Sequence, residues 1–391
     1  EKRDMTILRS ERVFTQGNIQ PADIEIEHDY ILNMNPYGTS AEVFDLGDRL
    51  IVPGFIDLHS DAVEKEIEPR PGAEFPMDHA LIELDKKLAM AGITTMFHAI
   101  AFNDHSLVGP RGTETAARLI EKIYSANLQN LCIDNLIHAR FEITSFASAP
   151  IINDLMKKGI VQMLSFMDHC PGQGQFKSLE KWKQFHVPVY DLTDEDAGSV
   201  VSDKLSKRKD SLRYLEQLSE TARQESIIMA SHDDDSNDKI DMMKEFGIRI
   251  AEFPLSLETA SYAKASEIAT GMGAPNVVRG KSQSGNISAR NLIEANCCDF
   301  LCSDYHPSSM LQAVYCMHQE MGMDLVDALS YVTVSPAQTA QLSDRGDIRP
   351  GMLADLVVIE DENMPKVVMT IKSGLPIYSG SSCFCLLDNA A

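Results

Sequence analysis

The sequence predicts an α/β protein: a (β/α)8 TIM-type barrel carrying a small β-sandwich domain built from both chain termini. Two observations predict it. The middle of the chain alternates short apolar runs with segments whose apolar residues recur at helical spacing, giving eight candidate strands. The two ends carry short runs rich in Val and Ile, punctuated by turn residues, with no helical pattern between them. On this reading residues 1–52 and 342–391 form the small domain and residues 53–341 the barrel.

In chain order, MTILRSERVFT, ADIEIEHDYILNMN and AEVFDLGDRLIVPG supply the first sandwich strands. The barrel strands follow as LIVPGFIDLHSD, GITTMFHAIAF, LQNLCIDNLIHARFEI, GIVQMLSFMDH, SIIMASHDD, GIRIAEFPLS, APNVVRG and CDFLCSDYHP. Between them MDHALIELDKKLAMA, TETAARLIEKIYSAN, APIINDLMKKG and SARNLIEAN have helical periodicity. Residues 178–225 form a longer, charged, helix-prone insertion between the fourth and fifth strands. After the turn residues of SDRGDIRPGMLAD, the runs LADLVVIED, PKVVMTIKSG and LPIYSG complete the small domain.

With 391 residues the chain has length for a large core. Its net charge of -23 argues against nucleic acid or an anionic membrane surface as a partner, since both demand a basic face. A polyanionic substrate therefore requires a local positive pocket or metal ions. The eight cysteines form no CxxC pair and no dense framework, which predicts reduced thiols and a cytoplasmic setting. No apolar run reaches the roughly 20 residues of a bilayer span, and the polar start EKRDMTILRSER lacks the apolar core of a signal peptide. The expectation is a soluble protein with a small-molecule partner, compatible with a homo-oligomer.

In such a barrel the active site lies at the C-terminal strand ends. The residues there are His59 and Asp61, His98, His138 and Glu142, Asp168 and His169, His232, Glu252 and Asp304. Each alone reads more simply as a turn-forming or hydrogen-bonded residue. Gathered at one mouth, they match the imidazole and carboxylate ligands of divalent metals. His59 and Asp61 are two apart on a strand, so both face the same way, as two ligands of one ion would.

PGFIDLHSD, GDIRPGMLADLVVIE and LCSDYHP, with the terminal sandwich, resemble the amidohydrolase superfamily. DLHSDAVEKEIEPRPG, AGITTMFHA, FMDHCPGQGQF, SHDDDS, VVRGKSQSGN and CSDYHPSSM are similar, more narrowly, to the PhnM family of the carbon-phosphorus lyase pathway, over nearly the whole chain. That resemblance implies metal-dependent hydrolysis of α-D-ribose 1-methylphosphonate 5-triphosphate to the 5-phosphate and diphosphate. It implies two divalent ions, zinc before iron or manganese, with His59 and Asp61 on one, His169 and His232 on the other, and Asp304 at the eighth strand. FMDHC, HARFE and ASHDD offer no strand-end lysine for the carbamylated bridge usual in the superfamily, so Glu142 is the expected bridging carboxylate. Asp168 and His169 are adjacent and cannot both point inward from a regular strand; His169 is taken as the ligand, with Asp168 behind it. His98 and His138 are read as structural histidines or as supports behind the ligands, with direct binding of an ion as the competing reading.

Asp304 is expected to act as general base and proton carrier. Lys65, Arg70, Arg140, Arg279, Lys281 and Ser284 are the expected contacts to a phosphorylated sugar, with the loops PGQGQF and RGKSQSGN offering further donors. For Lys65 and Arg70 the competing reading is a solvated, salt-bridged loop, since three glutamates lie nearby. The competing function is an amidase, deacetylase or lactonase acting on a carbon-nitrogen or lactone bond with the same metal centre. A non-catalytic scaffold predicts gaps in the ligand set, and none is present.

Overall fold

The computed structural model describes residues 5–70, 72–103, 112–129, 131–174, 178–190, 193–282 and 285–380. The strands are β1 (Thr6–Thr15), β2 (Asn18–Glu27), β3 (Tyr30–Pro36), β4 (Phe44–Asp45), β5 (Leu50–Pro53), β6 (Phe55–Ser60), β7 (Ile93–Phe102) and β8 (Asp134–Glu142). They continue as β9 (Met163–Met167), β10 (Ile228–His232), β11 (Ile250–Glu252), β12 (Ala269–Gly273), β13 (Phe300–Cys302), β14 (Leu356–Glu360), β15 (Lys366–Lys372) and β16 (Leu375–Ser379). The helices are α1 (Ala62–Ile67), α2 (Met77–Met90), α3 (Thr113–Asn127), α4 (Ser148–Lys157), α5 (Leu179–Tyr190), α6 (Asp194–Arg208) and α7 (Leu212–Gln224). After them come α8 (Asn237–Glu245), α9 (Leu257–Ala265), α10 (Ala274–Arg279), α11 (Ala289–Glu294), α12 (Ser309–Gln319), α13 (Leu325–Ser330) and α14 (Val334–Thr339).

Strands β6 to β13 form an eight-stranded parallel sheet in sequence order. It closes where Asp304 N donates to His59 O at 2.9 Å and Asp61 N donates to Asp304 O at 2.7 Å. Helices cover the outside, so a strand such as β7 is buried along its whole length and reads as a continuous apolar run. Ile56, Leu58, Phe97, Met163, Ile250 and Phe300 fill the barrel floor. That packed floor leaves the polar strand ends to form the mouth.

The strands from both termini meet in a second sheet, ordered β16-β15-β14-β5-β1-β2-β3 with β4 beside β1. Its core includes Leu8, Ile24, Leu46, Ile51, Val358 and Ile371. The run LIVPGFIDLHSD divides at Gly54 between the two sheets: β5 pairs antiparallel with β14, and β6 pairs parallel with β7. A Cβ at Gly54 would lie 2.1 Å from Thr94 Oγ1, so only glycine permits this crossing. Asp134 at the start of β8 accepts from Arg345 at 2.5 Å and from Lys372 of β15 at 2.8 Å, tying the sheet to the barrel base.

One expected strand is corrected. APNVVRG is not the seventh strand but helix α10, and the strand is the preceding ATGMG. Pro275 sits in the first helical turn, where its fixed φ and missing N–H cost nothing. The insertion between β9 and β10 forms helices α5, α6 and α7, as expected.

Candidate metal centre

Strand alternation places Asp57, His59 and Asp61 on one side of the β6 segment. Asp57 accepts from Ser303 N at 3.0 Å and His59 N at 3.2 Å, which seals the seam between the first and last strands. Burial pushes its carboxyl up to about 6. His59 lies above it, buried.

His59 Nδ1 is 2.8 Å from Glu252 Oε1, at the end of β11, and His232 Nδ1 is 3.4 Å from Glu252 Oε2. The two imidazoles stack with centroids 5.4 Å apart, and His138 meets His59 edge-on at 5.2 Å. His138 Nδ1 lies 3.1 Å from the Leu58 carbonyl, an arrangement that assigns its proton to Nδ1 and leaves Nε2 with a lone pair. His232 Nε2 accepts from Arg140 Nη2 at 3.1 Å and lies 3.7 Å from Asp233 Oδ2, while His169 Nε2 lies 3.9 Å from the same oxygen. Burial drives the His138 imidazole down to about 4 and His232 well below its usual value, Arg140 adding to the latter. Both rings are therefore neutral donors of electron pairs.

Glu142, at the end of β8, is fully buried with its oxygens divided between partners. Oε1 accepts from Lys204 Nζ of α6 at 3.1 Å, and Oε2 lies 2.9 Å from His169 Nδ1. Burial opposes ionisation, but the charges of Lys204 and His169 outweigh it and hold the carboxyl well below its usual range. Asp168, next to His169, pairs with Arg208 of α6 at 2.7 Å.

Asp304 follows β13 in the left-handed region, φ 58°. Burial raises its carboxyl to about 7, and the neighbouring Asp61 charge adds to the rise. Beside it, Tyr305 collects two cations: Lys65 Nζ lies 5.0 Å from its ring centroid, and Arg279 Nη1 donates to its hydroxyl at 3.3 Å. Arg279 closes α10 instead of lying on a strand. Arg140 is buried within the barrel, whereas Arg70 and Lys281 are exposed on loops beside the mouth. Ser284 lies outside the described residues.

His98 is elsewhere. Its Nε2 lies 2.7 Å from Asn135 Oδ1, and Asn135 donates to Asp85 of α2, so the ring belongs to the helix layer. Conversely, the structure draws in Asp233 and Lys204, to which the sequence reading gave no role, and Glu252, which that reading placed at a strand end without assigning it to an ion. Glu252 stood at a strand end and Asp233 within the acidic run after His232, so position was their only signal. Lys204 continues the buried stripe of Ala197 and Val201 at helical spacing, which is its signal.

The donor set fits a divalent ion. Ligand atoms of His59, His232 and Glu252 lie within 4.8 Å of one another, as do those of His169, His232 and Asp233. His138 Nε2 and Asp233 Oδ2 are buried without a hydrogen-bond partner among the described residues, a costly state for polar atoms that serve no other ligand. Neutral imidazoles beside carboxylates are what zinc, iron or manganese would take.

The amidohydrolase family model matches residues 50–377. Alpha-D-ribose 1-methylphosphonate 5-triphosphate diphosphatase of Escherichia coli is 33% identical over 321 residues, 81% of this chain and 85% of that protein. An adenine deaminase of Clostridium acetobutylicum is 22% identical over 369 residues, 91% of this chain but 55% of the deaminase. Among solved structures, N-acetyl-D-glucosamine-6-phosphate deacetylase from Mycobacterium smegmatis superposes with TM-score 0.64 at 14% identity, covering 95% of this chain and 100% of the deacetylase. That likeness is one of fold.

Proposed function

We propose, from the premise that the chain belongs to the amidohydrolase family, that it hydrolyses α-D-ribose 1-methylphosphonate 5-triphosphate to the 5-phosphate and diphosphate in phosphonate catabolism. The observation that carries the reading is Arg140: a guanidinium 7% exposed, placed among the imidazoles and carboxylates. Arg140 offsets the Asp233 and Glu252 carboxylates, and its place beside the reacting group suits a triphosphate, which brings negative charge, better than a neutral amide. The similarity to the Escherichia coli diphosphatase supports the same substrate.

In this reading two divalent ions, zinc before iron or manganese, are held by His59, Asp61, Glu142, His169, His232 and Asp304, with Glu252 and Asp233 adding carboxylate oxygens. Divalent ions bound there supply Lewis acidity, acidifying water and polarising a phosphoryl oxygen. The chain's own residues do the rest. Glu252 orients His59 and His232 through its two oxygens. Asp304 takes the proton of the attacking water on its carboxylate and returns it to the leaving diphosphate. Arg140 balances charge at the reacting phosphorus, and Lys65 and Arg279, brought together at Tyr305, meet the outer phosphates. Arg70, Lys281, Ser284 and the 171–176 loop complete the reception of the polyanion. Residues 53–341 carry this chemistry, with 1–52 and 342–391 as the supporting domain. Six described cysteines without disulfides support a cytoplasmic enzyme of small phosphorylated sugars, and no described helix is long and apolar enough to cross a membrane.

The test is to incubate the metal-loaded protein with ribose 5-triphosphate derivatives, nucleoside triphosphates and adenine, following diphosphate, orthophosphate and ammonia. Diphosphate from the ribose triphosphates is expected. Orthophosphate alone, or ammonia from adenine, would overturn the assignment.

A further inference from the structure

The insertion between β9 and β10 grips the metal centre at three adjacent points. Trp182 of α5, fully buried, donates its indole N–H to the His169 carbonyl at 3.1 Å. On α6, Ala197, Val201, Lys204 and Arg208 fall on one helix face, and its last two positions are cations: Arg208 reaches Asp168 at 2.7 Å and Lys204 reaches Glu142 at 3.1 Å. Lys204 is 3% exposed. A lysine in the buried stripe of a helix is costly beside the leucine that would pack there, because the ammonium gives up its water. Glu142, itself buried and ionised, offsets that cost at 3.1 Å, and Thr144 Oγ1 at 3.2 Å adds to it.

The effect on Glu142 is asymmetric. Its Oε1 accepts from Lys204 Nζ, from the His169 backbone N–H at 3.3 Å and from Thr144 Oγ1 at 3.4 Å, so protein donors occupy it fully. Oε2 is left facing the His169 imidazole at 2.9 Å. We infer that Lys204 is a positioning residue for the metal centre: delivered by the insertion, it neutralises Glu142 and pins Oε1, so that Oε2 and the His169 ring are presented together to the ion. No barrel strand end supplies a lysine here, and this one arrives from a helix outside the barrel and pairs with a glutamate. The inference rests on the assignment of Glu142 and His169 to the metal.

Metal-free full-length protein is titrated with Zn²⁺ alone by calorimetry, for the wild type and for K204M, K204R, V201A, H169N, E142Q and E142Q/K204M. K204M is expected to bind zinc at least about tenfold more weakly, the scale of loss typical when a group supporting a ligand is removed, with far-UV circular dichroism unchanged. K204R, which keeps the cation, recovers most of the affinity. V201A loosens the same helix without touching Glu142; it lowers the melting temperature and leaves zinc affinity as in the wild type. In E142Q, adding K204M causes no further loss. Wild-type affinity in K204M, or an equal loss in V201A, overturns the inference while leaving the ligand assignment intact. Wild-type affinity in H169N or E142Q overturns the ligand assignment itself.

Discussion

Glu252 Oε1 stands 2.8 Å from His59 Nδ1, joining the sixth barrel strand to the first across the mouth. Its other oxygen lies 3.4 Å from His232 Nδ1, so one carboxylate fixes the orientation of two imidazoles from separate strands. Replacing it by Gln keeps the shape but removes one acceptor and the charge. E252Q is expected to lose roughly 10- to 100-fold in metal affinity or activity. Metal content after gel filtration, read beside diphosphate release, checks this; a fully loaded, fully active E252Q would show that the imidazoles hold their places without it.

Asp304 and Asp61 are joined through the backbone where the barrel closes, and the two carboxyls are close enough for the charge of one to act on the other. D304N preserves the volume and removes the proton acceptor. Turnover should fall by about two to four orders of magnitude, the usual share of a general base, while most of the metal stays bound. A D304N enzyme turning over near the normal rate would assign proton transfer elsewhere.

The first strand shows why part of this site is legible from sequence. PGFIDL is an apolar run whose strand period fixes the direction of His59 and Asp61, so the pair can be placed before any fold is known. The same reasoning places His232 at the end of IMASH. It fails where chemistry depends on docking. Lys204 is one residue in the exposed-looking DEDAGSVVSDKLSKR, and only the seating of α6 on the barrel brings its ammonium to Glu142. His98, read from the sequence as structural, occupies a barrel strand and bonds outward to Asn135.

The misplaced seventh strand has a similar cause and carries its own prediction. ATGMG lacks the β-branched run that marks a strand because a Cβ at Gly271 would fall 2.2 Å from the Phe300 ring, which is buried in the barrel floor. G271A should therefore destabilise the protein by about 1–3 kcal/mol through overpacking. G271A/F300L should recover part of the loss. Urea unfolding of the three proteins checks it, and a G271A as stable as the wild type would mean that Phe300 moves aside freely.

In the terminal sheet, Asp23 is buried under a two-pronged contact from Arg9, Nε to Oδ1 and Nη2 to Oδ2, each 2.7 Å. Backbone N–H groups of Gly38 and Ser40 add to it at 3.3 and 3.0 Å. The Arg9 hydrogen bond holds the Asp23 carboxyl well below its usual 3.8, with burial opposing. The sign follows from linkage: a carboxyl depressed in the folded state stabilises fully above its unfolded pKa, and that stability is lost as pH falls through the folded value. D23N lacks the charge at every pH. Its urea midpoint should lie clearly below that of the wild type at pH 7, and the gap should narrow as both are titrated from pH 4 toward pH 2. A gap independent of pH would mean that Asp23 acts by shape and neutral hydrogen bonding, with its charge contributing nothing to the sheet.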